Sequence, residues 1–317
     1  MTFRTTYQAK EQPINQIHYH SEILLLGSCF AENISSKLNY FRFNIVSNPF
    51  GILFNPVAIE KLIQHSVTNF QYIANDLVFQ NEQWHCLDAH SEMSNTNKET
   101  VLHHLNTALK NTKSVLSKVS HIVITLGTAW VYQYLKSKEI VANCHKISQS
   151  EFQKTILSTN EIQLSLENII QNIHEVNPHC QIIFTVSPVR HLKDGFVENQ
   201  LSKSHLITAI HSVLHEKIHY FPSYEIMMDD LRDYRFYNAD MLHPTQTAID
   251  YIWEKFVNTW IDSSEKETMN QVAQIQKGLA HRPFNDKSEK HQQFLSKIYQ
   301  KIKNLEKLKG LFFDKPL

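Results

Sequence analysis

The chain of 317 residues is 42% hydrophobic, which provides enough apolar surface for a sizeable core in one large domain or two smaller ones. Its 31 Lys and Arg residues balance 31 Asp and Glu residues, so the formal net charge is +0. A balanced charge gives no electrostatic attraction to nucleic acid or to an anionic membrane, and we expect neither as a partner.

Targeting segments, membrane spans and metal sites are not expected. Residues 1–20 are polar, and no run approaches the roughly eighteen apolar residues of a membrane span. The histidines lack partners at metal-ligand spacing, so we expect neither a metal nor a cofactor. The four cysteines form no CxxC pair, which predicts a reduced, cytoplasmic chain. They are Cys29, Cys86, Cys144 and Cys180.

The first predicted element is a buried strand over Ile23 to Leu26, where apolar residues run together. Gly27 permits a tight turn into a helix over Ala31 to Tyr40, which carries Ile34 and Leu38 on one face. The patterns that follow predict a short strand over Phe43 to Val46, a loop at Ser47 to Gly51, a helix opened by Pro56, a hairpin over Leu77 to Leu87 and a helix over Thr100 to Val119.

The second half of the chain continues this alternation. Strongly apolar strands are expected over His121 to Leu126 and over Gln181 to Val186. Ser158 and Glu161 form a capping box that predicts a helix between these strands. The remaining expectations are a hairpin of Trp130 to Leu135 with Ile140-Val141, a helix in the second half of Val189 to Ile218, a strand over His219 to Glu225 and a core helix opened by Pro244.

Strands that alternate with helices predict an α/β fold with a mainly parallel sheet covered on both faces. In such folds the reacting groups gather at the carboxyl ends of the strands. Three expected strands end in small or polar residues, at Gly27-Ser28-Cys29, Gly127-Thr128 and Ser187-Pro188. We therefore expect the functional residues at that edge of the sheet.

Composition divides the chain into two parts. Residues 20–262 predict the α/β domain, and residues 263–317 form an extension rich in Lys, Glu and Gln. A break at residues 281–285 separates two expected amphipathic helices, which pack on the core or on a partner. The sequence leaves the oligomeric state open.

Ser28 and Cys29 are candidate nucleophiles at the expected strand-to-helix turn. The N-terminus of a helix lowers the pKa of a thiol and stabilises developing negative charge. The other interpretation is an ordinary turn with a serine N-cap and a buried cysteine. These residues alone favour the ordinary turn, because short motifs match by chance.

Asp240 lies three residues before His243, just ahead of the helix expected at Pro244. This spacing lets the carboxylate orient the imidazole, which then takes a proton from a nucleophile. Alternatively, Asp240 only closes the local turn, and the motif alone does not decide between the two. With Ser28 and Cys29 at the far end of the chain, the order nucleophile, Asp, His is typical of a hydrolase.

The stretch Gly27-Ser28-Cys29-Phe30-Ala31 is the motif that names the GSCFA family, and the resemblance extends over roughly residues 20–260. The GSCFA family in turn resembles the SGNH (GDSL-like) hydrolase superfamily. That resemblance implies a flavodoxin-like three-layer sandwich with hairpin insertions, a nucleophile after the first strand and a late Asp-x-x-His pair. The other segments similar to the family are Asn48 to Leu53, Ala142 to His145, Thr185 to His191 and Asp233 to Tyr237.

The resemblance implies a role for each matching residue. A gapless match of the Gly-Asp-Ser-Leu block puts Cys29 at the nucleophile position, whereas a shift by one restores Ser28. We favour Cys29 and keep Ser28 open. Asp240 and His243 match the late pair without adjustment, and Gly51 is the expected backbone donor to the oxyanion.

One departure from the superfamily concerns its Gly-x-Asn block, whose asparagine donates to the oxyanion. Here the block is Gly127-Thr128-Ala129, and alanine has no side-chain donor. Loss of one such donor typically lowers the rate about a hundred- to thousandfold. Thr128, Asn143 or a backbone N–H has to substitute, or the activity is weak or absent.

Two further polar pairs follow in the second half of the chain. Arg190 and His191 come after the strand that ends at Ser187, where they could contact an anionic or sugar substrate. The alternative is a surface turn. A Ser-Lys dyad at Ser202 and Lys203 is not expected, because adjacent helical residues point in different directions.

The function expected from these features is hydrolysis of an acyl ester, with a carbohydrate acetyl ester as one candidate substrate. The partner is then a small-molecule or glycan ester. An acyltransferase on the same scaffold is the second hypothesis. A glycan- or protein-binding module that has lost catalysis is the third, and Ala129 is the feature that favours it.

Overall fold

The computed structural model describes residues 5–313. Five of the strands form a parallel sheet. When these five are numbered by their order along the chain, they lie side by side in the order 2-1-3-4-5. This is the flavodoxin-like order, and the predicted fold class is confirmed. The sheet strands are β1 (Glu22–Gly27), β2 (Asn44–Ser47), β5 (His121–Leu126), β9 (Gln181–Val186) and β10 (Ile218–Phe221). The other strands are β3 (Leu77–Gln80), β4 (Gln83–Cys86), β6 (Trp130–Tyr134), β7 (Ile140–Val141) and β8 (Phe152–Ile156).

Helices cover both faces of this sheet. One hydrophobic cluster contains buried side chains from the second to the fifth helix, and the other contains side chains from the first and the last three. The helices are α1 (Cys29–Tyr40), α2 (Pro56–Val67), α3 (Lys98–Leu116), α4 (Thr159–Val176), α5 (Phe196–Ser212), α6 (Ser223–Glu225), α7 (Gln246–Trp260), α8 (Lys266–Leu279) and α9 (Glu289–Lys309).

The central strands contribute to both clusters because their side chains alternate between the two faces. In β1, Leu24 and Leu26 belong to one cluster, while Ile23 and Leu25 belong to the other. Strands β5 and β9 are buried along their whole length. Burial on both faces explains the continuous apolar runs that predicted these strands.

The hairpin insertions are present, and one of them has an additional strand. The predicted hairpin is formed by β3 and β4. In the second insertion, β6 pairs with β7 as expected and also with β8, which was not predicted. The middle residues of β8 are exposed, so its sequence lacks the apolar alternation that identifies a strand.

Most predicted boundaries differ from the structure by a few residues, and two of the differences have a clear local cause. The strand expected to reach Glu225 ends at Phe221, because Pro222 has no N–H with which to continue the ladder. Helix α7 begins at Gln246 rather than at Pro244, with Thr245 as its N-cap. Residues before α7 are held extended, since Pro244 pairs with Tyr237 in a short bridge.

The two amphipathic helices of the C-terminal extension are α8 and α9, and they pack on the core. Val272 and Ile275 of α8 and Ile302 of α9 are buried in the same cluster as residues of α1 and α7. Residues 314–317 of the predicted extension lie outside the described part of the chain. Between residues 5 and 313, no helix has the length and apolar character needed to cross a membrane.

Candidate active site at the carboxyl edge of the sheet

The turn between β1 and α1 requires a glycine at position 27. Gly27 has φ +124°, and a Cβ there would lie 2.1 Å from the carbonyl oxygen of Thr125 on the neighbouring strand. The Gly27 N–H donates to Asn48 Oδ1 at 2.9 Å, which ties the turn to the loop after β2. The chain can therefore leave the strand abruptly and begin a helix within two residues.

Ser28 and Cys29 have different environments at this turn. Ser28 is fully buried as the N-cap of α1, and its Oγ accepts a hydrogen bond from the Phe30 N–H at 3.4 Å. The capping role weighed for this serine is confirmed. Cys29 is the first residue of α1 and is partly exposed. Of the two side chains, only Cys29 is accessible to a substrate.

The thiol of Cys29 is not a preformed thiolate. Burial raises its pKa above the ordinary value, and the Glu32 carboxylate adds to this effect. The positive charge of Lys203 and hydrogen bonds from the N–H groups of Cys29 and Phe30 lower the pKa and oppose the shift. The balance leaves the thiol protonated at neutral pH, so a nucleophilic role needs a general base.

Asp240 and His243 form a hydrogen-bonded pair on an exposed loop before α7. His243 Nδ1 lies 2.7 Å from Asp240 Oδ2. Asp240 Oδ1 accepts from the N–H groups of Leu242 and His243 at 2.8 and 3.0 Å. These bonds lower the pKa of Asp240 to about 2, so the carboxylate is ionised at neutral pH. The aspartate closes the turn and also orients the imidazole, and both interpretations of this motif hold together.

The loop of His243 is attached to the carboxyl end of β9. The Arg190 N–H donates to the Leu242 carbonyl at 3.2 Å. Next to it, His191 has a pKa of about 3, lowered first by burial and then by the charges of Lys203 and His243. Strands β1, β5 and β9 run parallel, so the Cys29 turn after β1 and the His243 loop, which is bonded to the segment after β9, lie at the same edge of the sheet.

Lys203 is the residue at this site that the sequence analysis missed. Its fully buried ammonium donates to the carbonyl oxygens of Gly127 and Ser187 at 2.7 and 2.8 Å. No carboxylate pairs with it in residues 5–313. Burial lowers its pKa to about 7, against the attraction of Cys29. The position of Lys203 on α5 could have indicated its burial, because Asn199, Lys203 and Leu206 lie on the same buried side of the helix.

Ser202 and Lys203 point in different directions and form no dyad, as expected from the sequence. Ser202 Oγ accepts from the Ala129 N–H at 2.7 Å and lies 3.1 Å from Thr128 Oγ1. The lysine instead reaches the Gly127 carbonyl, so the adjacent side chains have different partners.

The backbone donors expected for an oxyanion hole are already used. The Gly51 N–H donates to the Asn48 carbonyl at 2.7 Å, which closes the tight turn at this loop. The Gly127 N–H donates to the Phe54 carbonyl, also at 2.7 Å. The Thr128 hydroxyl accepts from the Trp130 N–H at 3.0 Å and lies 3.1 Å from Ser202 Oγ.

Asn143 lies against the loop that follows β4. Its N–H donates to the Leu87 carbonyl, and its Oδ1 accepts from the His145 N–H at 2.9 Å. The groups that lower the pKa of the Cys29 thiol are the N–H groups that begin α1 and the charge of Lys203.

Comparison with known proteins identifies the family of the chain. Residues 22–256 match the model of the GSCFA family, and residues 272–315 match that of the GSCFA domain protein, C-terminal domain. Comparison with curated proteins finds no match. The first match covers well over half of the chain and includes every candidate site residue. This chain therefore belongs to the GSCFA family.

Proposed function

We propose that this protein hydrolyses acyl esters, with Cys29 as the nucleophile, His243 as the general base and Asp240 as the carboxylate that orients the imidazole. The observation that carries the proposal is the 2.7 Å hydrogen bond between His243 and Asp240 on a loop attached to the end of β9. The resemblance of the motif order to SGNH hydrolases supports the same assignment. The proposed substrate class is an acyl ester, and a carbohydrate acetyl ester is one candidate within it.

Accessibility favours Cys29 over Ser28. The Ser28 hydroxyl is buried and caps α1, so an attack on a substrate would require the first turn of the helix to open. The Cys29 side chain is partly exposed at the positive end of the same helix. A thiol is also the better intrinsic nucleophile once deprotonated.

The reaction proceeds in two stages. His243 Nε2 takes the thiol proton as the Cys29 sulfur forms a bond to the acyl carbon, and Asp240 stabilises the imidazolium. Collapse of the tetrahedral intermediate breaks the ester C–O bond, and the alcohol leaves with the proton from His243. A water molecule then loses a proton to the imidazole and attacks the thioester, which releases the carboxylic acid and restores the thiol.

The developing oxyanion needs donors other than those the resemblance implied. We assign this role to the Cys29 N–H together with the ammonium of Lys203, because the Phe30 N–H already donates to Ser28 Oγ. Two of the three ammonium protons are bonded to carbonyl oxygens, which leaves one for the substrate. The pKa of Lys203 is about 7, so the side chain is partly protonated at neutral pH, and in that form the buried ammonium is an effective electrostatic stabiliser because little water screens it.

A second candidate function is a module that binds an ester or glycan without turnover. The observation that favours it is the commitment of the Gly51, Gly127 and Ala129 N–H groups to other acceptors. The free thiols of all four cysteines support the expected cytoplasmic location under either function.

The test is turnover of a panel of acyl esters, including an acetylated sugar, by the wild-type protein and three variants. We expect Cys29→Ala and His243→Ala to abolish turnover and Ser28→Ala to keep it, with a stability loss of about 1 kcal/mol from the missing cap. Equal turnover by all four proteins would refute the mechanism. Transfer of the acyl group to an added sugar in preference to water would identify an acyltransferase, and binding without turnover would identify the module.

A further inference from the structure

A small cavity is lined by Arg190, the residue whose backbone holds the loop of His243. Its volume is about 140 Å³, and its lining includes Arg190, whose N–H bonds the residue before His243. Pockets for drug-sized ligands measure about 300–1,000 Å³, so this cavity suits a single small group of a larger substrate. Other lining residues are Met227, Met228, Leu231, Tyr234 and Tyr237.

The guanidinium of Arg190 is held by aromatic rings. Its central carbon lies 4.4 Å from the ring centre of Tyr237 and 5.5 Å from that of Tyr234. Tyr237 is buried, whereas Tyr234 is exposed, so one ring fixes the guanidinium from the protein side and the other borders solvent. Contacts of this kind orient the guanidinium plane without neutralising its charge.

Arg190 is a cation without an acidic partner among residues 5–313. The other arginine that lines the cavity, Arg232, is paired with Asp229, and the nearby Arg235 is paired with Asp233. Asp233 also lines the cavity, but its carboxylate is bonded to Arg235. The cavity therefore presents one uncompensated positive charge, on the side chain that best forms paired hydrogen bonds to a planar or tetrahedral anion.

We propose that this cavity is an anion subsite, in which Arg190 binds a carboxylate or phosphate group on the ester substrate while Tyr234 and Tyr237 border its attached carbons. The inference rests on the proposed function, because it assigns the substrate class of that same site. The substrate is then an anionic ester, and the charged group lies on the side of the scissile bond that faces the loop of His243.

The first experiment compares esters that differ only in charge. We use 4-nitrophenyl esters whose acyl chains end in a carboxylate, a phosphate or a neutral methyl ester. We expect kcat/KM to be about 10- to 100-fold higher for one or both charged esters, and Arg190→Gln to remove that preference. The ester that is preferred identifies the carboxylate or the phosphate as the recognised group. Lys193→Gln is the matched control, since it removes a charge from the same loop at an exposed position.

The second experiment measures binding without turnover. In Cys29→Ala, we expect monomethyl glutarate or methyl phosphate to bind about 10- to 100-fold tighter than dimethyl glutarate, and Arg190→Gln to abolish the difference. Preferential binding with no hydrolysis by the wild type would refute the proposed function and leave the subsite standing. Hydrolysis without any charge preference, together with equal binding of charged and neutral probes, would overturn the subsite alone.

A third measurement covers the case in which Arg190→Gln does not fold. In the wild-type protein, the same two anions should protect Arg190 from modification by phenylglyoxal, as mapped by mass spectrometry. Arg190→Lys should retain part of the charge preference, because lysine supplies a point charge without the paired geometry. Modification of Arg190 at an unchanged rate in the presence of both anions would overturn the proposal.

Discussion

Lys203 and Gly127 are joined by a 2.7 Å hydrogen bond from a fully buried ammonium to the backbone carbonyl that follows β5. A second bond, to the Ser187 carbonyl, reaches the end of β9. The two bonds hold the Lys203 amine between neighbouring strand ends, and its protonated form lowers the pKa of the Cys29 thiol. Lys203 therefore contributes both to the stability of the fold and to the proposed chemistry. Its lowered pKa makes the contribution to stability measurable as a dependence on pH.

The first prediction concerns the pH dependence of stability. The folded-state pKa of Lys203 is about 7, well below the ordinary lysine value, so between pH 7 and about 10 the unfolded chain binds a proton that the folded chain has released. Stability therefore rises with pH across this window, by up to about 1.4 kcal/mol per pH unit from this group. Lys203→Met should lose that contribution, as measured by urea unfolding at several pH values.

The control for this prediction is Lys110→Met on α3, which removes an exposed lysine and should leave the pH dependence unchanged. If Lys203→Met and the wild type gained stability equally from pH 7 to 9, the lowered pKa would be wrong.

The second prediction concerns the turn before Cys29. Gly27→Ala should destabilise the protein by at least about 2 kcal/mol, because the new Cβ would meet the Thr125 carbonyl and the backbone would be strained at φ +124°. Gly310→Ala is the matched control, since φ is +66° and no atom lies within 4 Å of the added Cβ. It should cost about 1 kcal/mol. Equal losses in denaturant titrations would argue against the close approach at Gly27.

The third prediction concerns the carboxylate beside His243. Asp240→Asn keeps an oxygen that can accept from the Leu242 and His243 N–H groups, but it removes the charge that stabilises the imidazolium. We expect kcat for ester hydrolysis to fall by roughly a thousandfold or more. Asp250→Asn, at an exposed position on α7, should leave kcat unchanged. A wild-type rate in Asp240→Asn would remove Asp240 from the mechanism.

The fourth prediction concerns the C-terminal helices. Ile302 of α9 is 4% exposed and packs in the same cluster as α1 and α7, so Ile302→Ala should cost about 2–5 kcal/mol. Leu308 on the same helix is 77% exposed, and Leu308→Ala should change stability by less than about 0.5 kcal/mol. A separate, early unfolding transition for α9 would show instead that the extension is an independent unit.

The central fold could be predicted because its signals are local. Strands β5 and β9 are buried on both faces and read as continuous apolar runs, and the Ser158 capping box marks the start of α4. A continuous apolar run is absent from strands that are buried on one face only or hardly at all, so this signal does not predict them. Strand β8 is exposed in its middle residues and has no such pattern, so only its pairing with β6 reveals it.

The site could be predicted only in part, because hydrogen-bond partners depend on tertiary structure. The spacing of Asp240 and His243 encodes their contact locally. The Gly127 N–H is taken by the Phe54 carbonyl, which becomes its neighbour only after folding. The sequence argued against a dyad of Ser202 and Lys203 but gave no other role for the lysine. That role could not be predicted because it depends on carbonyls at the ends of two distant strands.

The most direct measurement of the central claim is the identity of the acylated residue. An activated ester is mixed with the wild-type protein, the reaction is quenched with acid during turnover, and peptides are analysed by mass spectrometry. We predict an acyl thioester on Cys29 that forms much more slowly in His243→Ala. An acyl group on Ser28, or turnover that persists in Cys29→Ala, would contradict the assignment.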